Sequence, residues 1–176
     1  FVTLGIGYTA RSVFSLLFPP ILDEFGWERG VTASIFSVGF FSAVLYAPLI
    51  GYSIERLGPQ IVLPTATVLV SAGFVLTTMA TEPWHFIASL GVLVVGVTTF
   101  LAFNGHFVFV PKWFEARRRL ALGLISSGTG VFALLIVPVF QHTIDTVGWR
   151  VGCLGFAALL MAVVFPLTLA LQRRAP

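Results

Sequence analysis

Only 10% of the 176 residues are charged and 57% are hydrophobic, so the chain lacks the polar residues that cover a soluble domain of this size. This composition excludes a water-soluble globular protein and indicates an integral membrane protein. The formal net charge of +3 does not indicate nucleic-acid binding, because the basic residues are few and lie mostly in short links between apolar runs.

Six apolar runs are long enough to cross the hydrocarbon core as helices, which takes about 20 residues each. They cover approximately residues 1–22, 31–52, 61–80, 84–110, 120–141 and 149–171. The runs are too long and too uniformly apolar for the strands of a membrane barrel, which have about 10 residues of alternating polarity. The sequence predicts an all-α integral membrane fold of six transmembrane helices, with residues 1–176 in one unit.

Basic residues divide unequally between the two sides of this predicted bundle. One side holds Arg56, Lys112, Arg117, Arg118, Arg119, Arg173 and Arg174, and the other holds Arg29 and Arg150. Cytoplasmic links carry an excess of Lys and Arg, so the first side and both chain ends are predicted to be cytoplasmic. The four Trp residues all fall at predicted helix ends, the depth that indole rings favour.

Small residues recur four positions apart in the fifth predicted helix. Gly123 and Ser127 form one such pair, and Ser126 and Gly130 form another. A flat face of small residues favours close contact with another membrane helix. The same face could form the wall of a passage, and the sequence leaves both interpretations open.

The link after the second run reads GYSIERLGPQ and resembles the loop signature of the major facilitator superfamily, G-x-x-x-D-R-x-G-x-R. Gly51, Arg56 and Gly58 match the signature. Glu55 stands in place of its Asp, and Gln60 replaces its last Arg. In that family the loop is a gate that latches one half of the transporter against the other. The resemblance therefore implies a gating role here, weakened by the missing Arg.

Each matching residue also has a physical role in such a loop. Gly51 would let the end of the helix approach a neighbour, and Gly58 would make a tight turn. Glu55 and Arg56 could form a pair across the cytoplasmic mouth. A charged hairpin between two spans, with no gating role, is the simpler alternative.

Three further stretches point to one branch of the superfamily. YTARSVFSLLFPPILDEFGW resembles the first helix of monocarboxylate transporters and of oxalate/formate antiporters. Their fourth and fifth helices resemble the stretch LAFNGHFVFVPKWFEARRRLALGLISSGTG. The start of their sixth helix resembles GWRVGCLGFAALL. The likeness covers nearly the whole chain and implies the amino-terminal six-helix half of a twelve-helix carrier. It also implies a substrate site between the halves and a place in a bacterial inner membrane.

Arg11 lies inside the first apolar run, and an arginine at the bilayer centre costs at least about 2.5–3.5 kcal/mol. Arginine keeps its charge in proteins, and none of the six apolar runs contains an acidic partner. Glu24 lies roughly 20 Å further along a helix that rises about 1.5 Å per residue. The remaining partners are water in a cavity, a carboxylate outside this chain, or an anionic substrate. Alternatively, Arg11 lies close to the membrane surface.

The resemblance implies that Arg11 takes part in substrate binding and proton coupling, as the matching basic residue does in monocarboxylate transporters. Tyr8, one turn earlier, could donate to a carboxylate or simply pack. In the fourth run, Asn104 could line the passage or bond to another helix. His106 could relay a proton or be a hydrogen-bonded structural residue. Phe14 and Phe40 could line an apolar cavity around the substrate or pack in the bundle.

Together these observations predict a secondary active transporter that moves small monocarboxylates by alternating access, coupled to protons. Anion exchange of the oxalate/formate type, or transport of another small solute, is an alternative. A second alternative is a half-size membrane module that forms a dimer or a scaffold and does not transport a solute. The expected partners are a small carboxylate, protons, the lipid bilayer, and a missing carboxy-terminal half or a second copy. No nucleophile with a base, metal cluster or cofactor site is predicted, so no enzymatic reaction is expected.

Overall fold

The computed structural model describes residues 1–102 and 118–171, and within these ranges the chain is helical almost throughout, without strands. The first helices are α1 (Val2–Leu16), α2 (Phe18–Phe25), α3 (Arg29–Leu57) and α4 (Pro59–Thr78). They are followed by α5 (Pro83–Leu101), which is π-helical over Ile87–Gly96, and by α6 (Arg118–Val147). The last helix, α7, joins Trp149–Leu159, a π-helical Leu160–Val164 and Phe165–Leu171.

Five segments in the described part of the chain are long and apolar enough to cross a membrane. They are Ala33–Leu57, Pro59–Thr78, Pro83–Leu101, Leu122–Val147 and Trp149–Ala170. The predicted all-α membrane fold is thereby confirmed. The count of six spans and the half of a twelve-helix fold stay predictions.

The first apolar run is helical but divided at Leu17, which separates α1 from α2. Pro19 and Pro20 have no backbone N–H to donate to the carbonyls four residues earlier, so the α-helical ladder is interrupted there. The Leu17 N–H donates to the nearer Phe14 carbonyl instead, at 3.1 Å. Hydropathy measures the length of an apolar run and does not detect such a break.

Helices α3 and α6 both continue beyond their apolar runs, which were expected to end near residues 52 and 141. They end at Leu57 and Val147 because Gly58 and Gly148 follow, with φ of 82° and 102°. Backbone at these angles cannot continue a right-handed helix and is almost restricted to glycine. Polar residues at a membrane surface do not stop a helix, so the links are shorter than predicted.

Helices α4 and α5 form the centre of the bundle, and α6 lies at its outside. The α4 helix packs against α5 and α7, while α5 also packs along α3. Phe74, Phe86, Leu90 and Val94 are fully or almost fully buried between these helices. By contrast, α6 leaves large side chains exposed, such as Leu134 at 76%.

Helices α1 and α6 cross closely at two glycines. A Cβ added to Gly5 would lie 2.7 Å from the Gly128 carbonyl oxygen, and one added to Gly128 would lie 2.8 Å from the Phe1 carbonyl oxygen. Gly123 and Gly130 are exposed, with no described atom within 4 Å of an added Cβ. Contact of Gly123 and Gly130 with another helix stays a prediction, because no helix in the described residues reaches either glycine. The contact face of α6 passes through Gly128 instead.

Candidate functional site

A polar stripe runs along the one open side of α1. Between Thr3 and Ser15, every residue is buried except Tyr8, Arg11, Ser12 and Ser15. Residues three and four apart share a face of a helix, so these four side chains lie on one side of α1. Neighbouring helices cover the apolar remainder of α1, and the polar stripe is the side they leave open.

Arg11 is half-buried in this stripe and contacts an aromatic ring. Its guanidinium carbon lies 4.3 Å from the centroid of the Phe40 ring on α3. It makes no hydrogen bond or ion pair with any residue that the structure describes. At about 1.5 Å per residue, Phe40 lies roughly 16 Å along α3 from its first residue and roughly 25 Å from its last. Arg11 thus meets α3 well inside that helix.

The predicted aromatic residues take different positions beside the stripe. The Phe14 ring is buried, with its centroid 4.1 Å from that of Phe36, and the centroid of Phe18 lies 5.8 Å from that of Phe36. These three rings join α1 and α2 to α3. Phe40, one turn beyond Phe36, leaves 47% of its surface exposed.

The structure brings some of the predicted site residues together. Tyr8 and Arg11 share the polar stripe, and Phe40 lies against Arg11. Asn104 and His106 lie outside the described residues. Ser12 and Ser15 were not predicted, although their spacing from Tyr8 and Arg11 was a usable signal. The Ser15 hydroxyl donates to the Ser12 carbonyl oxygen at 2.7 Å, so it is held along the helix.

The predicted gating loop forms a one-residue link at Gly58 between α3 and α4, with φ 82° and ψ 157°. This confirms the tight turn expected there. Glu55 and Arg56 are exposed on the last turn of α3, and the Arg56 guanidinium lies 4.8 Å from the centroid of the Tyr52 ring. The close approach expected at Gly51 is not found, because no described atom lies within 4 Å of an added Cβ.

An ionic cluster that sequence reasoning missed ties three helices together at the other end of the bundle. The Glu24 carboxylate accepts hydrogen bonds from Arg150 Nη1 and Trp149 Nε1, both at 2.6 Å. Arg150 Nε also donates to the Thr78 carbonyl oxygen at 3.3 Å. The cluster therefore connects α2, α7 and the end of α4. Its two halves lie far apart in the sequence, so no local pattern could reveal it.

The pKa of Glu24 reflects two opposing causes. Partial burial raises the pKa, while the hydrogen bonds from Arg150 and Trp149 and the charge of Arg150 lower it. The net pKa lies below its ordinary value, so the carboxylate is ionised at neutral pH.

Two kinds of chemistry follow from the geometry. The Glu24 carboxylate receives its hydrogen bonds from Trp149 and Arg150 of the same chain, so the cluster acts as a structural tie. The polar stripe presents the Arg11 cation, whose N–H donors have no partner among the described residues and can bind an anion. Within residues 1–102 and 118–171, no three His, Cys, Asp or Glu side chains are grouped to hold a metal ion.

Comparison with known proteins identifies the family. The Major Facilitator Superfamily model matches residues 1–176. Monocarboxylate transporter 12 of Xenopus laevis is 32% identical over 150 residues, which are 85% of this chain and 32% of that protein. Monocarboxylate transporter 11 of Homo sapiens is 31% identical over 168 residues, 96% of this chain and 35% of that protein. Monocarboxylate transporter 3 of Mus musculus is 32% identical over 163 residues, 92% of this chain and 32% of that protein.

The chain spans about a third of the length of these curated relatives. The resemblance predicted from the loop and helix motifs is confirmed, and the apolar helices make the chain an integral membrane protein. The three relatives are animal proteins and give no support to the predicted bacterial membrane. The chain belongs to the Major Facilitator Superfamily.

Proposed function

We propose that the whole protein is a secondary active transporter that moves small monocarboxylates by alternating access. Membership of the superfamily and the relatives named monocarboxylate transporters support this proposal. The observation that carries it is Arg11, a half-buried cation on the open side of α1 with no acidic partner among the described residues.

The energetics of Arg11 favour an anionic substrate. A charged arginine inside the bilayer costs at least about 2.5–3.5 kcal/mol. A cation–π contact such as that with Phe40 returns only about 0.5–2 kcal/mol. A carboxylate can accept two parallel hydrogen bonds from one guanidinium, which is among the stronger charge-assisted contacts in proteins. In this proposal Arg11 and Tyr8 hold the carboxylate, and Asn104 and Phe40 complete the site.

In the proposed cycle this chain is the six-helix half that moves against a second half. The outer faces of α3 and α6 supply surfaces for that contact, since Val44, Leu124 and Leu134 are all strongly exposed. The Gly58 side, with both chain ends, would be cytoplasmic. Proton symport is the leading coupling mode, with Arg11 and His106 as the candidate residues, and exchange is the second.

The test is transport by the full-length protein reconstituted in proteoliposomes. We expect Arg11→Gln to raise the KM for labelled lactate, pyruvate or oxalate about 10- to 100-fold, because it removes charged hydrogen bonds worth about 1.5–3 kcal/mol. Arg119→Gln, which removes an exposed cation on α6, is the matched control and should leave KM unchanged.

Counterflow with and without a pH gradient separates the coupling modes. Symport predicts uptake driven by an inward proton gradient without internal substrate, whereas exchange requires internal substrate. Unchanged carboxylate transport by Arg11→Gln, or no transport of any carboxylate by the wild-type protein, would contradict the proposal.

A further inference from the structure

We propose that Phe40 is a positioning residue that holds the Arg11 guanidinium at the open side of α1 and thereby increases affinity for the carboxylate. The inference rests on the proposed function and adds a specific role for the ring. It derives from the contact between α1 and α3, where the guanidinium carbon lies 4.3 Å from the ring centroid.

Aromatic contacts one turn before Phe40 hold the backbone of α3 in place. Phe36, one turn earlier on α3, contacts Phe14 of α1 and Phe18 of α2, with centroid distances of 4.1 Å and 5.8 Å. These contacts hold α3 against α1 at the depth of Arg11. Phe40 therefore reaches the guanidinium from a fixed backbone, although 47% of its own surface is exposed.

An aromatic ring holds the cation without occupying its hydrogen-bond donors. The negative face of the ring attracts a guanidinium electrostatically and accepts no conventional hydrogen bond in doing so. Arginine carries five N–H donors, and in the described residues none of those of Arg11 is paired. A carboxylate side chain in place of Phe40 would hold Arg11 equally well but would compete with an anionic substrate for the same donors.

Holding the side chain in place lowers the cost of binding. A free arginine side chain samples many rotamers, and a ligand must order it before both N–H groups meet one carboxylate. The Phe40 contact restricts that motion before the substrate arrives. Loss of the ring should therefore raise KM with little effect on the maximal rate.

The experiment uses the full-length protein and labelled lactate, pyruvate and oxalate. We expect Phe40→Leu to raise KM about five-fold, as expected for a contact of average cation–π strength, with the maximal rate within about two-fold of wild type. The lactate-induced increase in Tm in detergent should need about five-fold more lactate. Phe40→Trp should keep wild-type affinity, because indole is the strongest cation–π partner. Phe40→Met serves if Phe40→Leu does not fold.

Phe41→Leu is the matched control. Phe41 is the next residue of α3, is 65% exposed, and lies outside the contact with Arg11, so its KM should be unchanged. The inference is overturned if Phe40→Leu behaves like Phe41→Leu, or if Phe40→Trp and Phe40→Leu raise KM equally. Arg11→Gln, measured alongside, decides the proposed function separately: a large rise in KM upholds that function even if the ring has no effect.

Discussion

The links at Gly58 and Gly148 have the same backbone but different surroundings. In both, a long helix ends just before the glycine, and the next helix starts directly after it. Each of these long helices contains a proline ten residues before the glycine. Pro48 precedes Gly58, and Pro138 precedes Gly148. The two glycines have φ of 82° and 102° and share a ψ of 157°. The chain thus makes the same one-residue turn twice.

The residues that follow each glycine separate the two links. After Gly148 come Trp149 and Arg150, which both donate to Glu24 and so attach the turn to α2. After Gly58 come Pro59, which has no N–H, and Gln60, which is exposed and has no side-chain hydrogen bond within the described residues.

The two ends of the bundle therefore differ in the contacts that surround the turn. The Glu24 cluster connects α2, α4 and α7 to one another at one end of the bundle. The Gly58 link leaves Glu55 and Arg56 at the surface, where a second half could meet them in the proposed cycle. The same backbone turn is thus followed by residues that tie helices together at Gly148, and lies beside exposed charged residues at Gly58.

The largest expected effect on the free energy of unfolding comes from replacing the glycines of the two turns. Gly148→Ala should destabilise the protein by about 2 kcal/mol, because φ 102° with ψ 157° is nearly restricted to glycine. No described atom lies within 4 Å of an added Cβ at Gly148, so the loss would come from the backbone alone. Gly58→Ala should cost a similar amount. The measurement is thermal unfolding of the full-length protein in detergent.

The control for both links is Gly123→Ala. Gly123 is helical and exposed, with no described atom within 4 Å of an added Cβ. Alanine favours a helix by up to about 1 kcal/mol over glycine, so this variant should be neutral or more stable. A loss at Gly148 no larger than that at Gly123 would show that the turn does not need glycine.

A smaller loss of stability is expected when the Glu24 carboxylate is removed, and it should distinguish the Glu24 end of the bundle from the Gly58 end. Glu24→Ala should destabilise the protein by about 1 kcal/mol, because the Trp149 N–H and the Arg150 guanidinium lose their acceptor at a partly exposed site. Asp145→Ala is the matched control, since Asp145 is an exposed carboxylate one turn before Gly148. Among the described residues its hydrogen bond comes from Gln141 of its own helix. It should cost about 0.3 kcal/mol. Equal losses in thermal unfolding would remove the distinction between the ends.

Local patterns predicted most of the helices and the turn at Gly58. Runs of apolar residues locate spans because a helix must satisfy its own backbone inside a membrane. The same patterns did not predict the break at Leu17, where the cause is two prolines inside an apolar run. They also did not distinguish Gly128, which meets α1, from Gly123, which meets no described helix.

Contacts between distant helices could not be predicted in this way. Arg11 and Phe40 were both proposed as site residues, but for separate reasons, and their contact depends on how α1 packs against α3. Glu24 was considered only as a partner too distant for Arg11. Its actual partners lie on α7, at Trp149 and Arg150, which no spacing rule connects to it.

The smallest expected effect is the response of the Glu24 cluster to acid. Because the folded pKa of Glu24 lies below its ordinary value of 4.5, the carboxylate stabilises the fold fully above that value, and this is lost as pH falls through the folded pKa. The side chain is 40% exposed, so screening limits the loss to about 0.5 kcal/mol.

The wild-type protein should therefore lose part of its Tm advantage over Glu24→Gln below about pH 4.5, and less in high salt, which screens the pair at every pH. Subtracting the Glu24→Gln curve removes the titration of every other carboxylate that the two proteins share. A constant difference in Tm between neutral pH and about pH 3 would mean that Arg150 and Trp149 do not stabilise the charged form of Glu24. The Glu24 end would then be held by other contacts, such as that between the Phe86 and Trp149 rings, whose centroids lie 6.1 Å apart. The contrast with the Gly58 link would not be electrostatic.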